Sequence, residues 1–364
     1  MSRLISIGRA AGAVGVTLGV AAAGAAVGFA AERYAVGRSL AGDDPYADEP
    51  LGTLRGDEHP VVTDDGIRLH VEIDRPAGRD DLTVIFTHGY ALNLDEWHFQ
   101  RRDLRGKGRL VFWDHRLHGR SSLAQAETLS FDRLAFDLGQ VIDQVAPRGQ
   151  IVLVGHSMGG MTVMALTSVR PDLFNNRVAG VALITTSHRD LATTPLGVPG
   201  APGRLARRLA PGVVAALARQ PDLIERGRRA GSDLGYVLTR RYSFIDRGSP
   251  SLVRYTAQMN AETPIDVVAA FLPLFSTNDQ HASLEVLSGL PVLVIGAAGD
   301  RLTPVEHSRA LAEALPDADY VEIPDAGHMV LLERHETVTE HLFKLIERVR
   351  AGRRGRWLPR RRAR

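Results

Sequence analysis

Gly155-His156-Ser157-Met158-Gly159 sets a serine between glycines two places to either side, directly after the apolar run 151–154 and directly before the helical run 161–169. A G-x-S-x-G pentapeptide between strand and helix is the context in which a serine is exposed as a nucleophile. So tight a turn strains the serine's backbone, so the residues two places away must be small, and Gly160 permits closer packing still. The helix beginning there aims its first N–H groups at the point where an attacked carbonyl gains negative charge. A serine hydroxyl is a poor nucleophile near neutral pH: a base must take its proton, and a third group must fix the base in the right tautomer. The chain holds 13 histidines from which that base would come. His335-Glu336 followed by His341 is not H-E-x-x-H, because the second histidine is six residues on and faces another side of its helix. His156, adjacent to the serine, reads as a packing residue of the turn.

The elements that must position this chemistry alternate along the chain. Short β-branched runs at 68–73, 83–87, 109–113, 151–154, 178–184, 291–296 and 319–324 read as strands. Several are apolar without alternation, as strands covered on both faces of a largely parallel sheet are. Helical periodicity lies between them, with Leu134, Leu138, Val141 and Ile142 on one side of residues 131–145 and a further helix over 335–349. The fold class is therefore α/β.

With these motifs in view, GHSMGG at 155–160, THGY at 87–90, Gly299-Asp300-Arg301-Leu302-Thr303-Pro304 and Gly327-His328 resemble the α/β-hydrolase superfamily, over roughly residues 61–349. The resemblance implies a mostly parallel sheet flanked by helices and a triad in the chain order Ser157, Asp300, His328. It implies His328, after the last strand, as the base and Asp300, after the preceding strand, as the acid that orients it, with Asp190 as the fallback acid. It also implies an oxyanion hole made by the backbone N–H groups of Met158 and Tyr90. Asp114-His115-Arg116-Leu117-His118-Gly119-Arg120-Ser121 is similar to the D-x-R-G-x-G-x-S loop of the family, but Leu117 and His118 replace the first glycine and its neighbour. Because the family uses that loop structurally, His115 and His118 beside Asp114 are not expected to bind a metal.

Alternation stops between 188 and 283, where an Ala-, Leu-, Pro- and Arg-rich stretch reads as an inserted helical cap; residues 61–187 and 284–350 are then the core, and 41–60, rich in Asp, Gly and Pro, reads as a linker. Residues 1–40 contain a run free of charge, 10–31, which at about 22 residues is long enough to span a bilayer. Arg3 and Arg9 precede it and A-x-A triplets lie within it, so a membrane anchor, a cleaved signal and a soluble leader all remain open. The tail 351–364 gathers seven arginines around Trp357 and Leu358, suited to an anionic membrane surface or to a solvated extension. Nucleic acid is not an expected partner, since no binding module accompanies the basic run. With 44% hydrophobic residues the chain can bury a large core, and having no cysteine it has no disulfide, thiolate metal site or cysteine nucleophile.

Serine rather than aspartate at the nucleophile position disfavours epoxide hydrolysis and dehalogenation. The expectation is a carboxylic ester hydrolase acting through an acyl-enzyme without a cofactor, its cap lining an apolar, lipid-like substrate site and its ends attaching it to a membrane. Thioesterase, carbon–carbon bond hydrolase and cofactor-free haloperoxidase are the alternatives on the same elbow, and a non-catalytic binding protein is the remaining one.

Overall fold

The structure, a computed structural model, describes residues 44–76, 78, 82–123, 129–189, 191, 233–245 and 248–357. Its strands are β1 (Asp57–Glu58), β2 (Val61–Val62), β3 (Arg68–Leu69), β4 (Val71–Asp74), β5 (Leu82–Thr87), β6 (Arg109–Trp113), β7 (Gln150–His156), β8 (Val178–Ile184), β9 (Val292–Ala297) and β10 (Asp319–Ile323). Eight of them form one sheet in the order β1-β4-β6-β5-β7-β8-β9-β10, while β2 and β3 pair apart. From β6 to β10 every neighbouring pair is parallel; β4 runs antiparallel to β6, and β1, at the edge, runs antiparallel to β4. The run 68–73, read as one strand, is divided at His70. There the backbone N–H donates to Ser121 Oγ at 2.9 Å and the carbonyl accepts from Asp114 at 2.9 Å, so β3 turns to β2 while β4 joins the main sheet.

The sheet's apolar residues divide by parity, as the period-2 pleat requires. Ile85, Val111, Leu153, Val181 and Val294 face one core; Phe86, Phe112, Val154, Ala182 and Ile295 face the other. The first core is closed by α2 (Phe131–Val145) and α3 (Met158–Val169), the second by α1 (His98–Leu104) and the final helix, which runs His335–Trp357. Ser130 caps α2 through a 3.1 Å hydrogen bond from the Arg133 N–H, fixing where that helix starts. The final helix buries Val338, Leu342, Leu345, Ile346 and Val349 at helical spacing and extends beyond the expected 349, so residues 351–357 of the basic tail continue it.

After α4 (Pro171–Asn176) and β8 come α5 (Asp233–Ser243), α6 (Pro250–Glu262) and α7 (Ile265–Ser276), the described helices of the insertion. Its two stems meet: Arg189 bridges Asp279, and the Gln280 N–H donates to the His188 carbonyl at 2.6 Å. Then follow α8 (Ser283–Leu287), α9 (Val305–Ala314) and α10 (Val330–Glu333), leaving the final helix as α11.

Residues 44–58, within the stretch read as a linker, are held on the core. The Asp44 carboxylate takes hydrogen bonds from the Ser251 N–H (3.0 Å) and from the Ser249 and Ser251 hydroxyls, capping α6 from a distance in sequence. Tyr46 packs its ring 5.4 Å from Phe99 and 5.7 Å from His335, and β1 adds a strand to the sheet edge. Among the described residues no helix is long and apolar enough to cross a membrane. The segment 10–31, Asp190, most of the expected cap (192–232) and tail residues 358–364 lie outside the described residues.

Candidate active site

Every expected site residue sits at a carboxyl end of a parallel strand, the edge where open α/β sheets place their ligands. Tyr90 follows β5, Ser157 follows β7, Asp300 follows β9 and His328 follows β10. The sequence forces the Ser157 turn locally. Ser157 adopts φ 51° and ψ −118°, a conformation L side chains rarely take. A Cβ on Gly155 would lie 2.6 Å from the Gly159 backbone, and one on Gly159 only 2.1 Å from the Thr87 carbonyl oxygen, so β7, α3 and β5 approach this closely only through glycines. The turn is held from beneath: the Ser157 N–H donates to Ile184 at 3.0 Å, and the Thr186 hydroxyl donates to the Ser157 carbonyl at 2.6 Å.

The Ser157 hydroxyl meets His328 Nε2 at 2.9 Å, and His328 Nδ1 meets Asp300 Oδ2 at 2.8 Å. Asp300 is itself fixed. Its Oδ1 accepts the N–H groups of Leu302 (2.8 Å) and Thr303 (2.9 Å), and its Oδ2 faces the Thr303 hydroxyl at 2.8 Å. A carboxylate so held accepts a proton-bearing Nδ1, which leaves Nε2 as the acceptor for the serine proton. The three residues are buried, and Ser157 is 8% exposed.

Met158 opens α3, so its N–H belongs to a first turn with no intrahelical acceptor. At Tyr90, the Gly89 carbonyl, in the same peptide unit as the Tyr90 N–H, accepts from His88 Nδ1 at 2.7 Å. In a trans peptide the N–H then points the opposite way. The Tyr90 side chain does not hang free: its hydroxyl donates to the Val268 carbonyl of α7 at 2.5 Å and its ring lies 5.1 Å from Phe275. The loop after β5 and α7 are thereby joined.

The loop that departs from the family pattern is a support for this one. Leu117 stands at φ 65°, where the pattern has glycine, and Gly119 at φ 52° lets the Asp114 carboxyl approach to where a Cβ would clash at 2.5 Å. Asp114 receives the Leu94 and Arg120 N–H groups at 2.7 and 2.9 Å, yet burial pushes its pKa up to about 6. His118 Nε2 accepts the Ala91 N–H at 3.2 Å, and His88 Nε2 accepts the His115 N–H at 2.9 Å. Burial holds the pKa values of His88, His115 and His118 below normal, so His88 and His118 serve as neutral acceptors for the main chain, while His115 Nε2 donates to the His88 carbonyl at 3.1 Å.

Three groups escaped the sequence reading. Thr303 braces Asp300; Glu96, seven residues after Gly89, reaches back to the Gly89 N–H and to His156; Glu333 accepts the Gly327 N–H at 2.6 Å and the Ile245 N–H at 3.0 Å. Thr303 was visible as the threonine of the segment at 299–304, whereas nothing local marks either glutamate as buried.

Residues 83–335 match the alpha/beta hydrolase fold family. The chain is 26% identical over 293 residues to the bifunctional esterase/perhydrolase of Acinetobacter calcoaceticus, covering 79% of this chain and 98% of that one. It is 23% identical over 271 residues to the dihydrolipoyllysine-residue acetyltransferase component of an acetoin cleaving system from Pseudomonas putida, 74% of this chain but only 65% of that protein's length. A thermophilic esterase from Thermogutta terrifontis superimposes with a TM-score of 0.63 at 25% identity, covering 81% of this chain and 99% of the other. A family match across most of the chain, the eight-stranded sheet and the likeness to an esterase of known structure converge on one statement: this protein is a member of the alpha/beta hydrolase family and an enzyme of that class.

Proposed function

We propose that this hydrolase cleaves carboxylic esters of apolar, lipid-like substrates through an acyl-enzyme on Ser157. The observation that carries the proposal is the unbroken hydrogen-bonded path from Ser157 Oγ through His328 to Asp300, at 2.9 and 2.8 Å. In the reaction, Ser157 Oγ bonds to the ester carbonyl carbon as its proton passes to His328 Nε2. The carbonyl oxygen becomes an oxyanion held by the Met158 and Tyr90 N–H groups. As the carbonyl re-forms, the alkoxide leaves with the proton from His328. Water, deprotonated by His328, then attacks the acyl carbon and returns Ser157 and the carboxylic acid product. Asp300 holds the imidazole in the productive tautomer and offsets the charge of the imidazolium. The chemistry needs no cofactor.

The apolar substrate class is supported by Tyr90, Phe271 and Phe275, aromatic side chains grouped between the oxyanion loop and α7. Attachment of the full chain to a membrane through residues 10–31 belongs to the proposal on sequence grounds; recovery of the full-length protein in the soluble fraction would remove it.

The test is treatment of wild type and Ser157→Ala with a fluorophosphonate probe, alongside turnover of p-nitrophenyl esters of graded acyl length. Labelling and turnover that both vanish in Ser157→Ala support the reading. Wild-type protein that neither labels nor hydrolyses any ester overturns it, and faster turnover of thioesters, or peracid formation, reassigns the leaving group or acyl acceptor on the same serine.

A further inference from the structure

The oxyanion loop, the nucleophile turn and the histidine loop leave three different strands, β5, β7 and β10, yet all three touch one buried pair outside the triad. Glu96, in the 3-10 turn Leu94–Trp97, and His156 are both fully buried, at 0% exposure. The Glu96 carboxyl accepts the Gly89 N–H at 3.2 and 3.3 Å and lies 3.1 Å from His156 Nδ1. His156 Nε2 lies 3.2 Å from the carbonyl of His328, an atom that can only accept, so Nε2 bears a proton. The pair thus holds the main chain one residue before Tyr90, the residue before Ser157, and the main chain of the base itself. A Cβ at Gly89 would lie 3.0 Å from His156 Nδ1, so the loop's glycine is what lets the imidazole pass beneath it.

We propose that Glu96 and His156 are positioning residues for ester cleavage: by bridging Gly89 to the His328 carbonyl they fix the oxyanion donors and the base at one spacing from Ser157. This rests on the function proposed above. Burial opposes a charge on His156, but the Glu96 carboxylate and the His328 carbonyl outweigh it and its pKa is raised, in keeping with a donor at both ring nitrogens. A loss of register is costly because misplacement of reacting groups by about 1 Å can slow a reaction about 100-fold.

The chemistry of glutamine makes the proposal sharp. In Glu96→Gln the amide oxygen accepts the Gly89 N–H, the amide nitrogen donates to a neutral His156 Nδ1, and Nε2–H still reaches the His328 carbonyl. Every link survives without charge. In Glu96→Leu all links through residue 96 are lost in a side chain of similar size.

The experiment measures kcat and KM for a p-nitrophenyl ester, the affinity of an aryl trifluoromethyl ketone, and thermal stability, on the full chain and both variants. The ketone adds Ser157 Oγ to its carbonyl carbon, passes the serine proton to His328 and leaves an oxyanion in the hole, so its affinity reports the geometry of attack. We expect folded Glu96→Leu to lose about 10- to 100-fold in kcat with KM within about 3-fold, to lose ketone affinity in parallel, and Glu96→Gln to recover to within about 3-fold of wild type. Should Glu96→Leu fail to fold, His156→Asn, whose amide can stand in for Nδ1 but stops short of the His328 carbonyl, is read the same way. Wild-type kcat in a folded Leu variant, a loss confined to KM, or a Gln variant no better than Leu overturns the proposal. Absence of wild-type labelling and turnover would instead sink the ester hydrolase reading, and this inference with it.

Discussion

Asp300→Asn separates orientation of the base from every other property of the site, because the neighbours dictate which way the new amide lies. At Oδ1 the Leu302 and Thr303 N–H groups converge, and only an oxygen can accept them. The asparagine nitrogen must therefore occupy the Oδ2 position, facing His328 Nδ1 at 2.8 Å. Nothing resists this placement: the Thr303 hydroxyl turns its proton to the Thr185 carbonyl, 2.8 Å away, and accepts from the amide instead. An N–H aimed at Nδ1 makes that nitrogen the acceptor and moves the imidazole proton to Nε2, where it meets the Ser157 hydroxyl with no lone pair to offer. The expected loss is about 10⁴-fold in kcat, or about 5 kcal/mol of transition-state stabilisation. KM for a p-nitrophenyl ester and the melting temperature stay near wild type, since no volume changes and no hydrogen bond is left unmade. Asp300→Ala removes the acid without imposing a donor, so the productive tautomer persists in part and the loss is smaller than for Asn. Steady-state kinetics and fluorophosphonate labelling rates on the two variants decide the matter. An Asn variant within about 10-fold of wild type, or one no worse than Ala, would refute the tautomer mechanism.

Ser157→Gly relieves a backbone at φ 51° and ψ −118° and sacrifices one hydrogen bond to His328. Strain of about 1–3 kcal/mol set against about 1 kcal/mol for the bond predicts an inactive protein more stable by about 1 kcal/mol. Ser157→Ala keeps the strain and loses the bond, and thermal melts of both check the ordering. Gly159→Ala would press its methyl 2.1 Å from the Thr87 carbonyl in β5, a strand paired on both sides. Destabilisation by about 3 kcal/mol and loss of activity are expected, read from the urea midpoint and ester turnover. Glu333 is held in its site with its pKa pushed up from 4.5 to about 7, burial outweighing the Gly327 and Ile245 N–H groups. In the folded state it binds a proton that the unfolded chain has released, so its contribution favours folding fully below pH 4.5 and is lost as pH rises through 7. The swing is about 3 kcal/mol. Glu333→Gln should flatten the fall of the melting temperature across pH 4.5–7 relative to wild type, and parallel curves for the two proteins would show that Glu333 is not the titrating group.

Most of the sheet and the places of the three proposed triad residues were legible because the information that sets them is local. β6 and β8 coincide with the runs read at 109–113 and 178–184, and β5, β7, β9 and β10 differ from their runs by one or two residues at an end. In each case but the half-exposed edge strand β10, an apolar stretch buried on both faces declares itself without reference to the rest of the chain. Ser157, Asp300 and His328 stand just beyond such runs, within glycine-bearing turns whose composition is also local. The segment 44–58 was opaque for the opposite reason. Asp, Gly and Pro mark a departure from helix and strand, but whether such a segment is a tether or a brace depends on partners like Ser251 and His335, more than 200 positions away.

The same distinction separates the visible part of the site from its support. A charged residue in a sequence reads as surface, because a carboxylate is rarely buried without partners. Glu96 and Glu333 are buried because each turns back to main-chain N–H groups left unpaired beyond a strand end: Gly89 to Glu96 after β5, Gly327 to Glu333 after β10, with Ile245, just past α5, as the second donor to Glu333. Those N–H groups lie in loops that cannot satisfy them by secondary structure, and an unmade buried hydrogen bond costs more than a made one contributes. The two carboxylates therefore answer a need created by the nucleophile's setting, in which loops from parallel strands converge with no ladder to hold them. On this logic the residues that tune the reaction are those that satisfy loop main chain beside Ser157 and His328. Neither glutamate belongs to a recognisable motif, so a motif finds the proposed triad, and the buried main-chain donors point to its supports.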